Sequence, residues 1–477
     1  MGEARRRGTP QKRQELAWGR AKRQFMTQFG GTDTRNDGYL RTALQAFLGR
    51  MPVEEWATRR EAILQSFRGR TAGTALATAP SIRVQADEIA WYLFLCQQAL
   101  EDPFCTDISQ SQRALPFLAG IGARWHHASR VHGLERKLDE LLNDYRQEPD
   151  GLLFEVLVAL AYAAAGWDVT LLPEGVEKTP DMHIAREGRE FFVECKRMSR
   201  KTQYADTERN EFLQHWDKAK SLLLSNRQWI WFKGDFHVEA SALEPNFLSN
   251  VFRSTLPLSD SFRGALIHQS DQATIHARLI DQAAVRSHMR KNLVKTNSPT
   301  LIRLLGGDWA PDNAATTILQ MVKTTQVVWC DVPELGSYVD EIGFACGFTR
   351  TFDAEVSVDK KARDVTKLLS QAVKQVPSDR PSIIHIAAET MEGTAVELRR
   401  TEKVMERVPG FTTGKPVAAV RFHRLQGHQR PDILYEFDET VDTFLLQPTD
   451  LTGMPTMVVA PPDTLLRQGS HWNLYSA

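Results

Sequence analysis

The chain lacks a long apolar run, a metal-type cysteine spacing and any excess of one charge. Lys+Arg and Asp+Glu are both 59 in 477 residues. Such neutrality speaks against a protein that coats nucleic acid without specificity, because that binding rests on neutralising many phosphates; a local basic groove remains open. The five cysteines (Cys96, Cys105, Cys195, Cys330 and Cys346) include no C-x-x-C pair. Zinc-finger and disulfide-framework readings therefore have little support, and a reducing, cytoplasmic setting is expected. No stretch reaches the roughly 18 apolar residues that cross a bilayer. The basic N-terminus lacks the apolar segment of a secretory signal, so no membrane association is expected. No internal repeat is visible.

What is present is an ordinary globular composition, 42% hydrophobic and 25% charged, in a chain long enough for about two to four domains. Residues 1–24 are strongly basic and read as a solvated tail, with a phosphate-touching arm as the alternative. Residues 25–147 read as an all-helical region. Tyr39-Leu40, Leu44, Phe47-Leu48 and Met51 recur at helical spacing, Val53 to Phe67 and Gln85 to Leu100 follow, and Arg130 to Arg146 is amphipathic. This region is the candidate surface for a homodimer or a partner protein. His126, His127 and His132 near its end have no companion ligands in sequence and read as surface histidines. The run Arg286, Arg290, Lys291, Lys295 and Arg303 reads as a solvated face.

The informative stretch is Asp150–Lys201. It opens with a helix, 151–165, in which Glu155 is the one residue charged at neutral pH. Gly166 is placed to cap it. Strands follow at 167–172, 181–185 and 190–195, the last two joined by a turn at Glu187-Gly188-Arg189. Pro180-Asp181 opens the second strand and Glu194-Cys195-Lys196 closes the third. Two residues apart on a strand, Glu194 and Lys196 point to one face while Cys195 points to the other. Phosphodiester hydrolysis needs a hard divalent cation held by a few oxygens, with open positions for water and phosphate. Asp181, Glu194 and the Cys195 backbone carbonyl offer such oxygens, and Lys196 offers an ammonium for water or developing charge. Glu155 points the same way, since a buried carboxylate needs a bound cation or a lysine nearby. Each motif alone is weak; the order in which they occur carries the specificity.

That order resembles the PD-(D/E)xK nuclease superfamily, whose restriction-endonuclease-like core runs α-β-β-β-α-β. The family pattern falls on Glu155, Pro180-Asp181 and Glu194-Cys195-Lys196. The resemblance implies Mg²⁺- or Mn²⁺-dependent cleavage of nucleic-acid phosphodiesters, DNA first, in phage defence, restriction or repair. It assigns Asp181, Glu194 and the Cys195 carbonyl to the metal, Lys196 to the attacking water, and Glu155 to support of the metal or further ligation. Arg197, Arg200 and Lys201 extend the basic character to where a phosphate backbone would pass. Tyr204 and Trp216 are the nearest base-stacking candidates, with packing the favoured alternative.

The closing helix and strand of such a core have two candidates, 207–226 with 228–239 or 360–376 with 382–387, the second favoured. The expected architecture is then a core split between 148–200 and 356–425, interrupted by a large α+β insertion at 201–355 and followed by a C-terminal extension at 426–477. Two other functions compete: an inactive nucleic-acid-binding or scaffold protein that keeps the fold, and an interaction module centred on the helical region.

Overall fold

The computed structural model describes residues 37–68, 86–173, 179–198, 202–259, 263–296, 298–306, 315–330, 332, 334–430 and 433–471. The basic segment 1–24 lies outside them. Helices α1 (Asp37–Leu48), α2 (Val53–Arg68), α3 (Glu88–Glu101), α4 (Ile108–Arg124) and α5 (Leu134–Asn143) precede α6 (Asp150–Ala164). Helix α4 falls in the region expected to be all-helical, with Pro116 inside it. It is nonetheless central, packing on α1, α3 and α6. A Cβ on its Gly122 would stand 1.8 Å from the Tyr39 carbonyl, so glycine is what lets α1 approach. The amphipathic helix expected from Arg130 is shorter. Val131–His132 form a two-residue strand β1, and Gly133, with φ of +82°, turns the chain before α5 begins.

Strands β2 (Asp168–Leu171), β3 (Met182–Arg186) and β4 (Arg189–Arg197) follow α6 closely. Glu187 and Gly188, both at positive φ, make the tight turn between β3 and β4. The chain then leaves this sheet. Helix α7 (Gln203–Asn226), β5 (Ile230–Phe236), α8 (Phe247–Thr255), β6 (Ala265–Gln269), β7 (Ala273–Leu279), α9 (Gln282–Met289), α10 (Pro299–Leu305), β8 (Thr316–Gln326) and β9 (Ser337–Phe352) build a second sheet, ordered β6-β7-β5-β9-β8. Its two long strands β8 and β9 replace the short elements expected there. Phe212 and Trp216 of α7 pack on Phe348 of this sheet, so Trp216 is core.

The chain returns through α11 (Glu355–Lys361) and α12 (Thr366–Gln375) to β10 (Ser382–Glu389), then α13 (Thr394–Arg407), β11 (Val417–Arg430) and β12 (Ile433–Leu445). The single helix expected at 360–376 is two. Lys361 turns inward to bind Glu208 at 2.8 Å, and the Asp364 carboxylate accepts from the Thr366 amide, restarting the helix. The first sheet is ordered β1-β2-β3-β4-β10-β11-β12. Strand β10 lies parallel between β4 and β11, with Glu194 opposite Ile384 and Lys196 opposite Ile386. Strand β5, the other candidate neighbour of β4, belongs to the second sheet. The protein is thus a mixed α/β chain with two mixed sheets.

Helices α4 and α6 cover one face of the first sheet and α12 and α13 the other. One apolar cluster runs from Leu40 through α3, α4 and α6 to Val193, Val458 and Val459. The N-terminal helices therefore have no core of their own, and the segment after residue 426 supplies β12 and part of this shared core. Helix α6 is apolar all round because it is covered all round. A buried hydrogen-bonded chain ties it across the sheet: Tyr162 Oη to His385 Nε2 at 3.0 Å, His385 Nδ1 to His423 Nε2 at 2.9 Å, and His423 Nδ1 to Glu439 Oε1 at 2.8 Å. Among the described residues no helix is long and apolar enough to cross a membrane.

Candidate active site

Strand β4 outruns β3. The ladder between them ends at Met182 opposite Val193, so residues 194–197 project beyond it. On the other side β4 stays paired to β10: the Phe192 and Met198 amides donate to Pro381 and Ala387 carbonyls. The alternation of a strand then turns the amide and carbonyl of Cys195 towards the gap left by β3. Asp181 fills that gap. Its Oδ2 accepts from the Cys195 amide at 2.6 Å, and its own carbonyl accepts from Leu172 at the end of β2. Pro180, buried before it, fixes the approach of the chain.

Glu194 and Lys196 share the α12 face with Ile384 and Ile386, as their spacing requires, and their side chains form an ion pair. Glu194 is fully buried, and its Oε2 has no hydrogen-bond partner among the described residues. Glu155 reaches in from α6. Its carboxylate meets the Lys137 ammonium of α5 at 2.8 Å. Lys137 is 1% exposed and was not singled out from sequence. The signal was there: it falls on the apolar stripe Leu134, Leu138, Leu141 of its helix, where a charge implies a buried partner.

The three carboxylates feel one another. Burial, then Asp181, pushes Glu155 up to about 7, against the pull of Lys137 and Lys196. Burial, then Glu194, pushes Asp181 up to about 7, against its bond from the Cys195 amide. Burial pushes Glu194 up to about 7, with Lys196 opposing and Glu155 adding to the rise. Burial alone would lower Lys196, but the Glu194 carboxylate holds it above its ordinary value. The arrangement is two buried acids, Glu155 and Glu194, and the half-buried Asp181, balanced by two lysines, and it gathers negative charge that burial penalises. Among the described residues no group of three or more His, Cys, Asp and Glu side chains converges on one metal-sized position.

The structure therefore brings together Glu155, Asp181, Glu194, Cys195 and Lys196, and adds Lys137. It does not bring Arg197 to them. One residue beyond Lys196, Arg197 points to the opposite face, where it pairs with Glu389 and lies 4.5 Å over the Phe117 ring with 4% of its side chain exposed. An arginine so buried is not free to meet a phosphate backbone. Arg113 joins the same network, bonding Glu389 at 3.0 Å and Asp150 at 2.8 Å. Arg200 and Lys201 lie outside the described residues. The Tyr204 hydroxyl is engaged by Glu239 at 2.8 Å and Ser357 at 2.9 Å, which is packing rather than a stacking platform. His126 and His132 are exposed on the turn after α4 and on β1.

No family model, no curated protein and no solved structure matches the chain. The functional reading therefore rests on the site itself.

Proposed function

We propose that the chain is a metal-dependent nuclease that hydrolyses nucleic-acid phosphodiesters, DNA first, with Glu155, Asp181, Glu194 and Lys196 as its working groups. The observation that carries this reading is the mutual influence of three carboxylates, Glu155, Asp181 and Glu194, each pushed up to about 7, at the free edge of β4 beside a lysine. The path of the chain supports it too: α6, β2, β3, β4, then α12 and β10 parallel to β4, is the α-β-β-β-α-β order of restriction-endonuclease-like cores. On this reading residues 203–352 are an insertion between β4 and the rest of the core.

The residues fit a hard divalent cation. Every donor is an oxygen, the Glu194 Oε2 is buried without a hydrogen bond, and the Cys195 carbonyl faces the same gap as Asp181. Asp181, Glu194 and that carbonyl would hold Mg²⁺ or Mn²⁺, with Glu155 as a further ligand or support. Such a cation supplies charge neutralisation at the phosphate and acidifies a bound water. Lys196, its ammonium held protonated by Glu194, orients a water or meets developing negative charge. Lys137 opposes the rise that burial and Asp181 impose on Glu155. Burial of Glu155 and Glu194 strengthens their interactions, while Asp181 and Lys196 keep partial contact with solvent.

The second reading is a nucleic-acid-binding protein without cleavage. It is favoured by one observation: Glu194 and Glu155 already have ammonium partners in Lys196 and Lys137. A cleavage panel separates the two. Supercoiled, linear and single-stranded DNA and RNA are incubated with Mg²⁺, Mn²⁺ or EDTA, beside Glu155→Ala, Asp181→Ala and Lys196→Ala. Nuclease action requires metal-dependent products that all three substitutions remove. Binding without cleavage under every metal condition would leave the second reading.

A further inference from the structure

Two cysteines that are far apart in sequence meet where the N-terminal helical layer touches the second sheet. Cys105 closes the single-turn helix Pro103–Cys105 after α3, and Cys330 lies in the turn after β8. They share one apolar cluster with Val327, Tyr338 and Phe104, where each thiol shifts the titration of the other. Cys105 is 3% exposed, whereas Cys330 is half-buried and its Sγ donates to the Val332 carbonyl at 3.1 Å. Both are free thiols, and the other three cysteines are buried in the two large cores.

A third group singles this pair out. Lys295, read from sequence as part of a solvated face, is buried at 6% exposure. Its ammonium donates to the Phe104 carbonyl at 3.0 Å and lies 5.5 Å from the Tyr338 ring centre. Among the described residues no carboxylate stands within ion-pair distance of it. Of the ionisable groups around it the Cys105 sulfur acts on it most strongly, followed by Asp107, Cys330 and Asp102. Burial lowers Lys295 to about 8. A buried cation without a carboxylate favours a thiolate beside it. The two thiols are also unequal. The hydrogen bond from Cys105 holds Cys330 below the ordinary thiol range, with Lys295 adding to the effect, while Cys105 is held far above it.

We propose that Cys105 and Cys330 are a disulfide-forming modification site for hydroperoxides, with Cys330 as the attacking thiol and Cys105 as the resolving one. The Cys330 sulfur attacks one peroxide oxygen and the O–O bond breaks. The hydroxide released takes the proton lost by the Cys330 thiol and leaves as water, and Cys330 becomes a sulfenic acid. The Cys105 sulfur then attacks that sulfur. The S–O bond breaks, hydroxide leaves with the Cys105 proton as a second water, and the S–S bond forms. Two thiols are oxidised and one peroxide is reduced. The bond ties the end of α3 to the second sheet, and it is independent of the nuclease reading.

The test treats the full chain with hydrogen peroxide, blocks remaining thiols with N-ethylmaleimide and digests without reductant. The expected product is a peptide pair joined through Cys105 and Cys330, two hydrogens lighter than its parts and released by dithiothreitol, with Cys96, Cys195 and Cys346 left as thiols. In Cys105→Ser, a sulfenic acid should accumulate at Cys330 and be trapped by dimedone. Lys295→Met should slow alkylation of Cys330 by iodoacetamide at pH 7 by about tenfold, the change expected when a thiol rises by one pKa unit. Recovery of both residues as thiols after peroxide treatment of the unsubstituted chain, or linkage of either to another cysteine, would overturn the proposal. That readout needs no variant and so does not depend on a variant's folding.

Discussion

Replacing Glu194 by Gln should stabilise the metal-free protein in alkaline solution while removing its activity. Below pH 4.5 the Glu194 carboxyl is neutral in both the folded and the unfolded chain. Between 4.5 and about 7 the unfolded chain releases this proton and the folded chain keeps it. Stability therefore falls as pH rises through that window and levels off above it. Lifting the carboxyl from 4.5 to about 7 corresponds, at about 1.4 kcal/mol per tenfold, to about 3 kcal/mol lost on ionisation. Gln keeps the size and shape of the side chain and removes that loss, but gives up the ion pair with Lys196. The rise to about 7 already contains the pull of Lys196, so the net gain should be about 3 kcal/mol at pH 8 and under about 1 kcal/mol at pH 5. Urea unfolding in EDTA at the two pH values measures it. Adding Mg²⁺ at pH 8 should then raise the midpoint of the parent, by about 2.7 kcal/mol at a hundredfold excess over its dissociation constant, and leave Glu194→Gln unmoved. A variant less stable than its parent at pH 8 would refute the reasoning, because it would make Glu194–Lys196 a net stabilising ion pair and not a site strained by unbalanced charge.

Further predictions follow from the same geometry. Lys137→Met should strand Glu155 in the interior and lower stability at pH 8 by about 3 kcal/mol, and the loss should shrink at pH 5, where Glu155 is protonated; chemical unfolding at both pH values checks it. Arg197→Ala removes one of two arginines on Glu389 and should cost about 3 kcal/mol while leaving the salt dependence of DNA binding unchanged, which a filter-binding series would show. Gly122→Ala drives a methyl into the Tyr39 carbonyl and should lower stability by about 2–3 kcal/mol, seen as a reduced melting temperature. Lys196→Ala should abolish cleavage while folding and DNA affinity persist, as measured by activity assay beside circular dichroism.

The parts of the site carried by local pattern were legible in the sequence. Helix α6, strands β2 to β4 and the facing of Glu194 and Lys196 follow from apolar runs, a positive-φ turn and the two-residue period of a strand. So does β10, whose run Ser382-Ile-Ile-His-Ile386 is apolar on both faces because helices cover both. What depended on partners distant in sequence was not legible. Lys137 is an ordinary helix residue until Glu155 is placed beside it, and Arg197 looked basic and available until Glu389 took it up. Lys295 looked solvated until Phe104 covered it. The long hairpin of β11 and β12 was reduced to short strands because polar residues along it are held by the sheet and not by an apolar alternation.

The β4–β10 pairing has a consequence for how the site comes into being. The two strands are neighbours in space, yet the second sheet is made between them, so on the ribosome β4 waits as an unpaired edge while roughly 180 residues emerge, a loop whose closure is entropically costly. The inserted segment shortens that wait. Tyr204 with Ser357, and Glu208 with Lys361, clasp its two ends together, so once it has folded the remaining open loop is only some tens of residues long. By the logarithmic dependence on loop length this lowers the closure cost by about 1–2 kcal/mol. The second sheet thus acts as an assembly jig: it presents β10 to β4, and Glu194 and Lys196 acquire their buried surroundings only when the last third of the chain has arrived.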